Sequence, residues 1–178
     1  MAAWDAGDKF QEETKYHRGN MPRASLDWTA RPDMYKEYDP SRRVPLPPHG
    51  TPESISLHEC VKARKSERRF ADSPLSLQDI SYLLWASTGI QREEDGYLFR
   101  TSPSAGALYP IETYVGANRV GGLAAGIYHY NVRGHSLEEV SPGPKSDMIA
   151  SAALDQRLCS DSPAVFIWSA VFPRSKWN

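Results

Sequence analysis

Half of the chain's fourteen prolines lie in its first 54 residues, and this limits where regular structure can form. Proline lacks a backbone N–H and clashes with the preceding helical turn, so recurring prolines exclude long helices and central strands. These prolines are Pro22, Pro32, Pro40, Pro45, Pro47, Pro48 and Pro52. The aromatic residues mixed with them, which a disordered tail would lack, are Trp4, Tyr16, Trp28, Tyr35 and Tyr38. We therefore expect residues 1–54 to form an extended arm, with a short helix near residues 8–17, that packs along a body or a neighbouring subunit.

The composition of the 178-residue chain is that of one globular domain with a sizeable core, which we assign to residues 55–178. The net charge of −1 gives no overall case for binding nucleic acid or an anionic membrane. The sequence holds no stretch of about 20 apolar residues that would span a membrane. Its charged N-terminus also lacks the apolar core of a secretory signal. We expect a cytoplasmic protein.

Neither the cysteines nor the histidines form a metal-binding pattern. Cys60 and Cys159 lie far apart, and two cysteines are too few for a disulfide framework. We interpret both as buried free thiols in a reducing cytosol. The five histidines are isolated, and no pair has the spacing of metal ligands. We therefore predict no metal site.

Two amphipathic helices are predicted at the start of the body. Residues 54–66 form the first, and the residues near one of its faces are Ile55, Leu57, Cys60, Val61 and Arg64. The second follows Ser76, an N-cap residue with Asp79 three positions on, and ends before Gly89. Its buried stripe is predicted to consist of Ile80, Leu83, Leu84 and Ser87.

The second half of the chain reads as strands with one helix. The segments "GIYHYNV" and "SLEEV" alternate and form a predicted hairpin around Arg133 and Gly134. Residues 146–161 have helical spacing, and the continuous apolar run 165–171 predicts a central strand. The element order predicts an α+β fold with an antiparallel or mixed sheet. Because a central strand needs partners on both edges, we expect the fold to be completed by a further segment or by another chain.

The first segment that carries chemistry is "VKARKSERRF", in which five of ten residues are basic. One interpretation is that these charges suit the C-terminal end of a helix dipole. Another is a phosphate clamp, because Arg64, Ser66 and Arg68 interleave two guanidinium forks with a hydroxyl. A nucleic-acid patch is a third reading, although one cluster on a neutral protein supplies few phosphate contacts.

The second segment is "RTSPSAGALYPIETYV", residues 100–115. Proline, serine and glycine are loop formers, so an ordinary turn is one interpretation. The other is a ring-binding loop, in which the small residues Ala105, Gly106 and Ala107 let backbone amides approach a planar heterocycle. Pro103 and Pro110 would stiffen such a loop before the strand begins.

Together these segments resemble the nitroreductase superfamily of flavin enzymes, in the form of its SagB-type dehydrogenases. "RKSERRF" is similar to an R-x-S-x-R-x-F motif, and it is followed by the PSAGALYP-like loop and by "GIYHYN". The likeness runs from about Tyr16 to Trp177. It implies a dimeric α+β sandwich, with a mixed or antiparallel central sheet flanked by helices and FMN at the subunit interface.

The resemblance also implies roles for individual residues. Arg64, Ser66 and Arg68 would contact the phosphate and ribityl end of FMN, and Lys65 would reach the flavin ring edge. Those implied to line the isoalloxazine, from the partner subunit, are Pro103, Ser104, Ala105 and Gly106. The protein would orient flavin N5 toward a substrate, while the hydride chemistry belongs to the cofactor.

Two departures from the family pattern bear on the function. Family members continue beyond this point, so residues 55–178 are expected to be a C-terminally incomplete FMN-binding domain. Members that oxidise azolines carry a Lys-Tyr pair where this chain has Lys176 and Trp177. Tryptophan cannot exchange a proton as a phenol can, which leaves Lys176 as the candidate catalytic base.

Three functions follow as hypotheses. The first is an FMN-dependent oxidoreductase that dehydrogenates an azoline in a modified peptide. A second version of that enzyme reduces nitro compounds or quinones with NAD(P)H. The alternative from another class is a non-catalytic flavin-binding or interaction module, completed by a second copy or by a partner chain.

Overall fold

The computed structural model describes residues 5–19, 27–51 and 53–177. Trp4, Pro22 and Pro52 of the predicted arm lie outside the described residues. The strands are β1 (Arg43–Pro45), β2 (Ile90–Glu94), β3 (Tyr97–Arg100), β4 (Ile111–Ala117), β5 (Gly126–Asn131), β6 (Ser136–Pro142) and β7 (Ala164–Ala170). The helices are α1 (Ala6–Glu13), α2 (Leu57–Ala63), α3 (Leu77–Thr88), α4 (Ser146–Ala152), α5 (Arg157–Asp161) and α6 (Phe172–Lys176).

One antiparallel sheet organises the fold, with strand order β1-β6-β5-β4-β7. The predicted α+β class, with an antiparallel sheet flanked by helices, is confirmed. Strands β5 and β6 form the predicted hairpin around Arg133 and Gly134. No helix in the described parts of the chain has the length and apolar character needed to cross a bilayer.

The strand predicted over residues 165–171 exists as β7, although it does not have a central position among the described strands. Among the described residues, β7 pairs with β4 alone and lies at one end of the sheet. Trp168 in this strand is 64% exposed. The central position next to it belongs to β4, which pairs along all seven of its residues with β7 and through its last four with β5.

The proline-rich arm contributes the opposite end of the sheet. Three residues, Arg43–Pro45, pair with Ser136 to Glu138 of β6. Leu46 follows them into the hydrophobic core, and its backbone N–H donates to the carbonyl of His135 at 3.2 Å. A proline at the end of a short edge strand costs no ladder hydrogen bond. Helix α1, by contrast, buries no residue.

Helix α3 packs its apolar face against the sheet and so forms part of the hydrophobic core. Its N-terminus has the predicted capping box of Ser76 and Asp79. Ile80 and Leu84 are fully buried, against core residues of the sheet that include Val115, Tyr128, Tyr130 and Leu137. The predicted stripe was wrong at Leu83, which is exposed; Ser81 and Thr88 are buried in the face that the stripe missed.

Helix α3 ends at Gly89, but a left-handed backbone conformation is not what requires a glycine at this position. The φ of Gly89 is −67°, which any residue adopts, so the expected C-terminal glycine conformation is absent. A Cβ at this position would lie 2.6 Å from the Cα and Cδ1 atoms of Trp85. The chain needs a glycine here because it turns closely past the indole, whose Nε1 donates to the carbonyl of Ile90 at 3.0 Å.

Other sequence predictions need correction. Residues 146–161 form two helices because Leu154 and Asp155 adopt left-handed backbone (φ 60° and 59°) between α4 and α5. Cys60 is exposed on α2, so the prediction of two buried thiols holds only for Cys159; both thiols are free. The β2–β3 hairpin was not predicted, although its Asp95-Gly96 turn is a common hairpin signal.

Candidate functional site

The segment between β3 and β4 is strained and closely held. A single 3-10 turn spans Ala105–Ala107. Positive φ angles occur at Gly106 (60°) and also at Ala107 (51°) and Tyr109 (41°), where side chains make them costly. The hydroxyl of Ser104 accepts from the backbone N–H of Tyr109 at 2.8 Å, which closes the turn. Such strain persists only where surrounding contacts hold it, and it concentrates at functional sites.

This turn borders a cavity of about 390 Å³, which we call the loop cavity. Its walls come from the end of α3, the end of β3, the turn itself and the adjacent strands β4 and β7. The lining residues are Ser87, Thr88, Arg100, Ser102, Pro103, Ser104, Ala105, Tyr109, Pro110, Ile111, Thr113 and Trp168. The volume lies within the range of small-molecule sites, about 300–1,000 Å³.

Two of the residues that line the loop cavity carry buried polar atoms with no hydrogen-bond partner among the described residues. These atoms are Nε of Arg100 and the hydroxyl oxygen of Thr113, on side chains that are 5% and 2% exposed. Burial lowers the pKa of the Arg100 guanidinium, although the nearby Glu112 carboxylate opposes that shift. An unsatisfied buried polar group costs about 1–3 kcal/mol, so these two atoms distinguish Arg100 and Thr113 from the other residues that line the cavity.

Arg100 is otherwise well held. Its Nη2 atom donates to the carbonyl of Met34 at 3.4 Å, and its guanidinium carbon lies 4.6 Å from the ring centroid of Tyr109. The backbone N–H of Arg100 donates to the Tyr109 hydroxyl at 3.1 Å. The guanidinium is therefore fixed by the arm and by the turn, with Nε left without a partner.

Arg174 anchors the C-terminal side of the turn. Its Nη1 atom donates to the carbonyl of Tyr109 at 3.0 Å and to the Glu112 carboxylate at 2.5 Å. Its Nε atom donates to the carbonyl of Asp33 in the arm at 2.8 Å. One buried guanidinium thus joins the arm, the turn and strand β4.

A buried polar chain extends this anchor across the sheet. His129 lies between two carboxylates, with its ring nitrogens 3.0 Å from Glu112 and 3.0 Å from Glu138. Glu138 also accepts from Arg43 at 2.6 Å. Burial alone raises the pKa of each glutamate. For Glu112 the bonds from His129 and Arg174 outweigh burial and hold the pKa below its usual range. The same result holds for Glu138, chiefly through bonds from Asn131, His129 and Arg43.

The structure brings only some of the predicted site residues together. Pro103, Ser104 and Ala105 line the loop cavity, and Gly106 lines a neighbouring cavity beside the arm. Lys176 is exposed at the last turn of α6 and is absent from the lining of both cavities. Trp177 contacts the arm instead, where its indole N–H donates to the carbonyl of Asp27 at 2.7 Å.

The predicted clamp residues lie on an exposed segment that does not line the loop cavity. Arg64 and Lys65 line an open groove beside α2, and the whole segment 64–70 is exposed. Within it Glu67 contacts Lys65 at 3.2 Å and Arg69 at 3.8 Å. The Lys65 ammonium lowers the pKa of Glu67. None of these ion pairs involves Arg64 or Arg68.

Sequence reasoning missed Arg100, Thr113 and Arg174 as site residues. Arg100 and Thr113 flank the small-residue loop, and an arginine directly before such a loop was a usable signal. Thr113 looks like an ordinary strand residue. Arg174 lies 62 positions from Glu112, and only the folded chain brings the two together.

The chain is similar to known proteins over much of its length. The sequence model described as the nitroreductase family matches residues 61–178. A Methanocaldococcus jannaschii protein described as a nitroreductase is 36% identical over 123 residues, which are 69% of this chain and 61% of that protein. The trifolitoxin-processing protein of Rhizobium leguminosarum bv. trifolii is 37% identical over 86 residues, 46% of this chain and 23% of that protein.

A solved structure shares the fold over nearly the whole chain. The crystal structure described as that of a nitroreductase from Anabaena variabilis superposes with a TM-score of 0.71 and 28% identity. The match covers 94% of this chain and 32% of that chain. The present chain therefore spans less than two thirds of the length of each of these three relatives.

Proposed function

The chain belongs to the nitroreductase family, whose members are generally flavin-dependent oxidoreductases, and we propose that it binds FMN and transfers hydride through it. The observation that carries this proposal is that two residues lining the loop cavity, Arg100 and Thr113, each carry a buried polar atom (Nε and Oγ1) without a hydrogen-bond partner among the described residues. A flavin ring offers carbonyl oxygens and ring nitrogens along one edge. Those acceptors match the chemistry of the unpaired donors on these two lining residues.

The walls of the loop cavity also suit a flat ring. Pro103, Ser104 and Ala105 have small or rigid side chains, so a planar group can approach the backbone of the strained turn. Trp168 supplies an exposed aromatic surface at the same cavity. When bound, FMN supplies the hydride chemistry at N5; the protein binds and orients it and limits the access of water.

We assign the phosphate end of FMN to the exposed basic segment. Arg64, Ser66 and Arg68 would hold the phosphate and ribityl chain, and Lys65 the ring edge, as the family resemblance implies. These residues do not line the loop cavity of their own chain. That separation is consistent with a homodimer in which one subunit supplies the basic segment and the other supplies the turn, including Gly106.

The direction of hydride transfer defines two versions of the enzyme. One dehydrogenates an azoline in a modified peptide to an azole, and similarity to a protein named for trifolitoxin processing supports a peptide substrate. The other reduces nitro compounds or quinones with NAD(P)H. In the peptide version, Lys176 would act as the base; its exposed position on α6 leaves it accessible to a substrate delivered at the surface.

A titration of the purified chain tests this proposal. Adding FMN should produce a red-shifted flavin absorbance and quenched flavin fluorescence, with a stoichiometry of one per subunit, and light scattering should report a dimer. Bound flavin should then be reduced by NAD(P)H or by an azoline-containing peptide, which separates the two versions. A chain that takes up no FMN at saturating concentrations would contradict the proposal.

A further inference from the structure

A second cavity of about 390 Å³ lies where the arm, the β2–β3 turn and helix α6 meet, and we call it the arm cavity. Its aromatic lining residues are Trp28, Tyr35, Tyr97, Tyr109 and Trp177. Two arginines, Arg31 and Arg133, also line it, whereas no aspartate or glutamate does among the described residues. Such a lining favours a ligand that is both aromatic and negatively charged.

The indole walls are fixed by contacts between distant parts of the chain. The rings of Trp28 and Trp177 lie edge to face, with centroids 5.2 Å apart and planes at 73°. The Trp177 indole N–H is already used by the carbonyl of Asp27. Because the indole N–H of Trp177 already donates to Asp27, this ring offers a ligand its aromatic surface and no hydrogen-bond donor.

The two guanidinium groups are held by aromatic rings and by no carboxylate. The guanidinium carbon of Arg31 is 5.8 Å from the ring centroids of both Trp28 and Trp177. That of Arg133 is 4.7 Å from the ring centroid of Tyr35. In the part of the chain that the structure describes, neither side chain forms a hydrogen bond or an ion pair. Their planar N–H forks are therefore available to an anion.

We propose that the arm cavity binds a planar aromatic molecule that carries a carboxylate. The rings would accept the planar face, and Arg31 and Arg133 would pair with the carboxylate. The cavity volume lies in the range of small-molecule sites, about 300–1,000 Å³. This site adjoins the proposed flavin site, with which it shares Tyr109 and the turn residue Gly106, but the binding proposed here does not require flavin.

The same turn also joins the two cavities. Gly106 and Ala107 line the arm cavity, whereas Ser104 and Ala105 line the loop cavity. A ligand in the arm cavity would therefore contact the turn that we assign to the flavin. We expect occupancy of the arm cavity to change the affinity of the chain for FMN, because both ligands require a defined conformation of residues 104–109.

Calorimetric titration with 2-naphthoate tests the proposal on the full chain without flavin. We expect binding that weakens with added salt, and at least tenfold weaker binding of 2-naphthamide, which has the same rings and no charge. The variant Arg31→Gln/Arg133→Gln should lose at least tenfold in 2-naphthoate affinity. Arg92→Gln is the matched control, since Arg92 also lies over an aromatic ring, Phe99 at 4.2 Å, but does not line the arm cavity.

The possible results distinguish failure of this proposal from failure of the proposed function. Absence of 2-naphthoate binding, equal binding of 2-naphthamide, or an equal loss in Arg92→Gln would each overturn the proposal. A chain that binds 2-naphthoate but takes up no FMN would leave this site standing and remove the proposed function. Circular dichroism of the double variant should match that of the parent chain, because both arginines are exposed.

Discussion

Arg174 and Glu112 form a buried ion pair, with Nη1 of the guanidinium 2.5 Å from the carboxylate and both side chains at most 3% exposed. The same guanidinium donates to the carbonyl of Tyr109, at the end of the turn that borders the loop cavity. A paired buried charge adds little net stability but is costly to leave alone. The pair therefore matters most for holding Tyr109 and strand β4 in one arrangement.

Replacing Arg174 by methionine should strongly destabilise the fold. The variant leaves the Glu112 carboxylate buried with His129 alone, and breaking such a pair costs about 3–5 kcal/mol. Urea unfolding followed by tryptophan fluorescence measures the change. Arg92→Met is the control, because the exposed Arg92–Glu94 pair contributes at most about 1 kcal/mol. A cost for Arg174→Met no larger than that of the control would contradict the buried anchor.

The stability of the fold should fall in acid through Glu112 and Glu138. Both carboxyl groups have pKa values below their ordinary value of 4.5, so the folded state favours their charged forms. Their contribution is complete above about pH 4.5 and is lost as the pH falls through the lower folded-state pKa values. The urea concentration at the midpoint of unfolding should therefore be lower at pH 3 than at pH 6.

The glutamine variant isolates this effect. Glu112→Gln should be less stable than the parent at pH 6, because Arg174 and His129 lose their charged partner, yet its urea midpoint should change less between pH 6 and 3. Glu93→Gln, on the exposed strand β2, should keep the parental decline. Parallel pH curves for Glu112→Gln and the parent would mean that this carboxylate does not carry the acid sensitivity.

Arg100 and Thr113 should each contribute to flavin affinity. A hydrogen bond from a charged donor is worth about 1.5–3 kcal/mol, so Arg100→Met should weaken FMN binding roughly 10- to 150-fold. Thr113→Val keeps the shape and removes one neutral donor, worth about 0.5–1.5 kcal/mol, or up to roughly tenfold. Fluorescence titration gives both values. Thr51→Val alters an exposed threonine that does not line the loop cavity, and an equal loss there would refute the assignment.

The basic segment should distinguish FMN from riboflavin, which lacks the phosphate. Arg64→Ala/Arg68→Ala removes two charged hydrogen bonds of about 1.5–3 kcal/mol each, so FMN affinity should fall roughly 10²- to 10⁴-fold. Riboflavin affinity should stay near that of the parent chain. Arg69→Ala is the neighbouring control, since Arg69 is paired with Glu67. Equal losses for the two flavins, or unchanged FMN binding, would reject the phosphate clamp.

Local signals in the sequence predicted their elements correctly. Ser76 and Asp79 predicted the start of α3, because their capping box closes within three residues. The hairpin at Arg133 and Gly134 followed from alternating residues on either side of a short turn. Both begin with hydrogen bonds between residues that are close in sequence, so a short window of the chain contains the signal.

Contacts between distant residues could not be predicted from these patterns. The exposed Leu83 and the buried Ser81 exchange their expected places because α3 also meets the arm, where the Ser81 hydroxyl donates to the carbonyl of Pro47 at 2.6 Å. Strand β7 lies at the end of the described sheet because β4 is its one partner there, whereas β4 also pairs with β5. Neither choice is encoded in a window of adjacent residues.

The sequence by itself determined the α+β class, the capped helix, the hairpin and the small-residue turn before β4. The tertiary structure alone decided that Arg100 and Thr113 would line one cavity with unpaired donors, and that Arg174 would fix the turn from 65 residues away. The physical reason is the distance along the sequence over which each kind of interaction acts. Backbone propensity and capping act over a few residues, whereas burial and charge pairing depend on which distant segments the fold brings into contact.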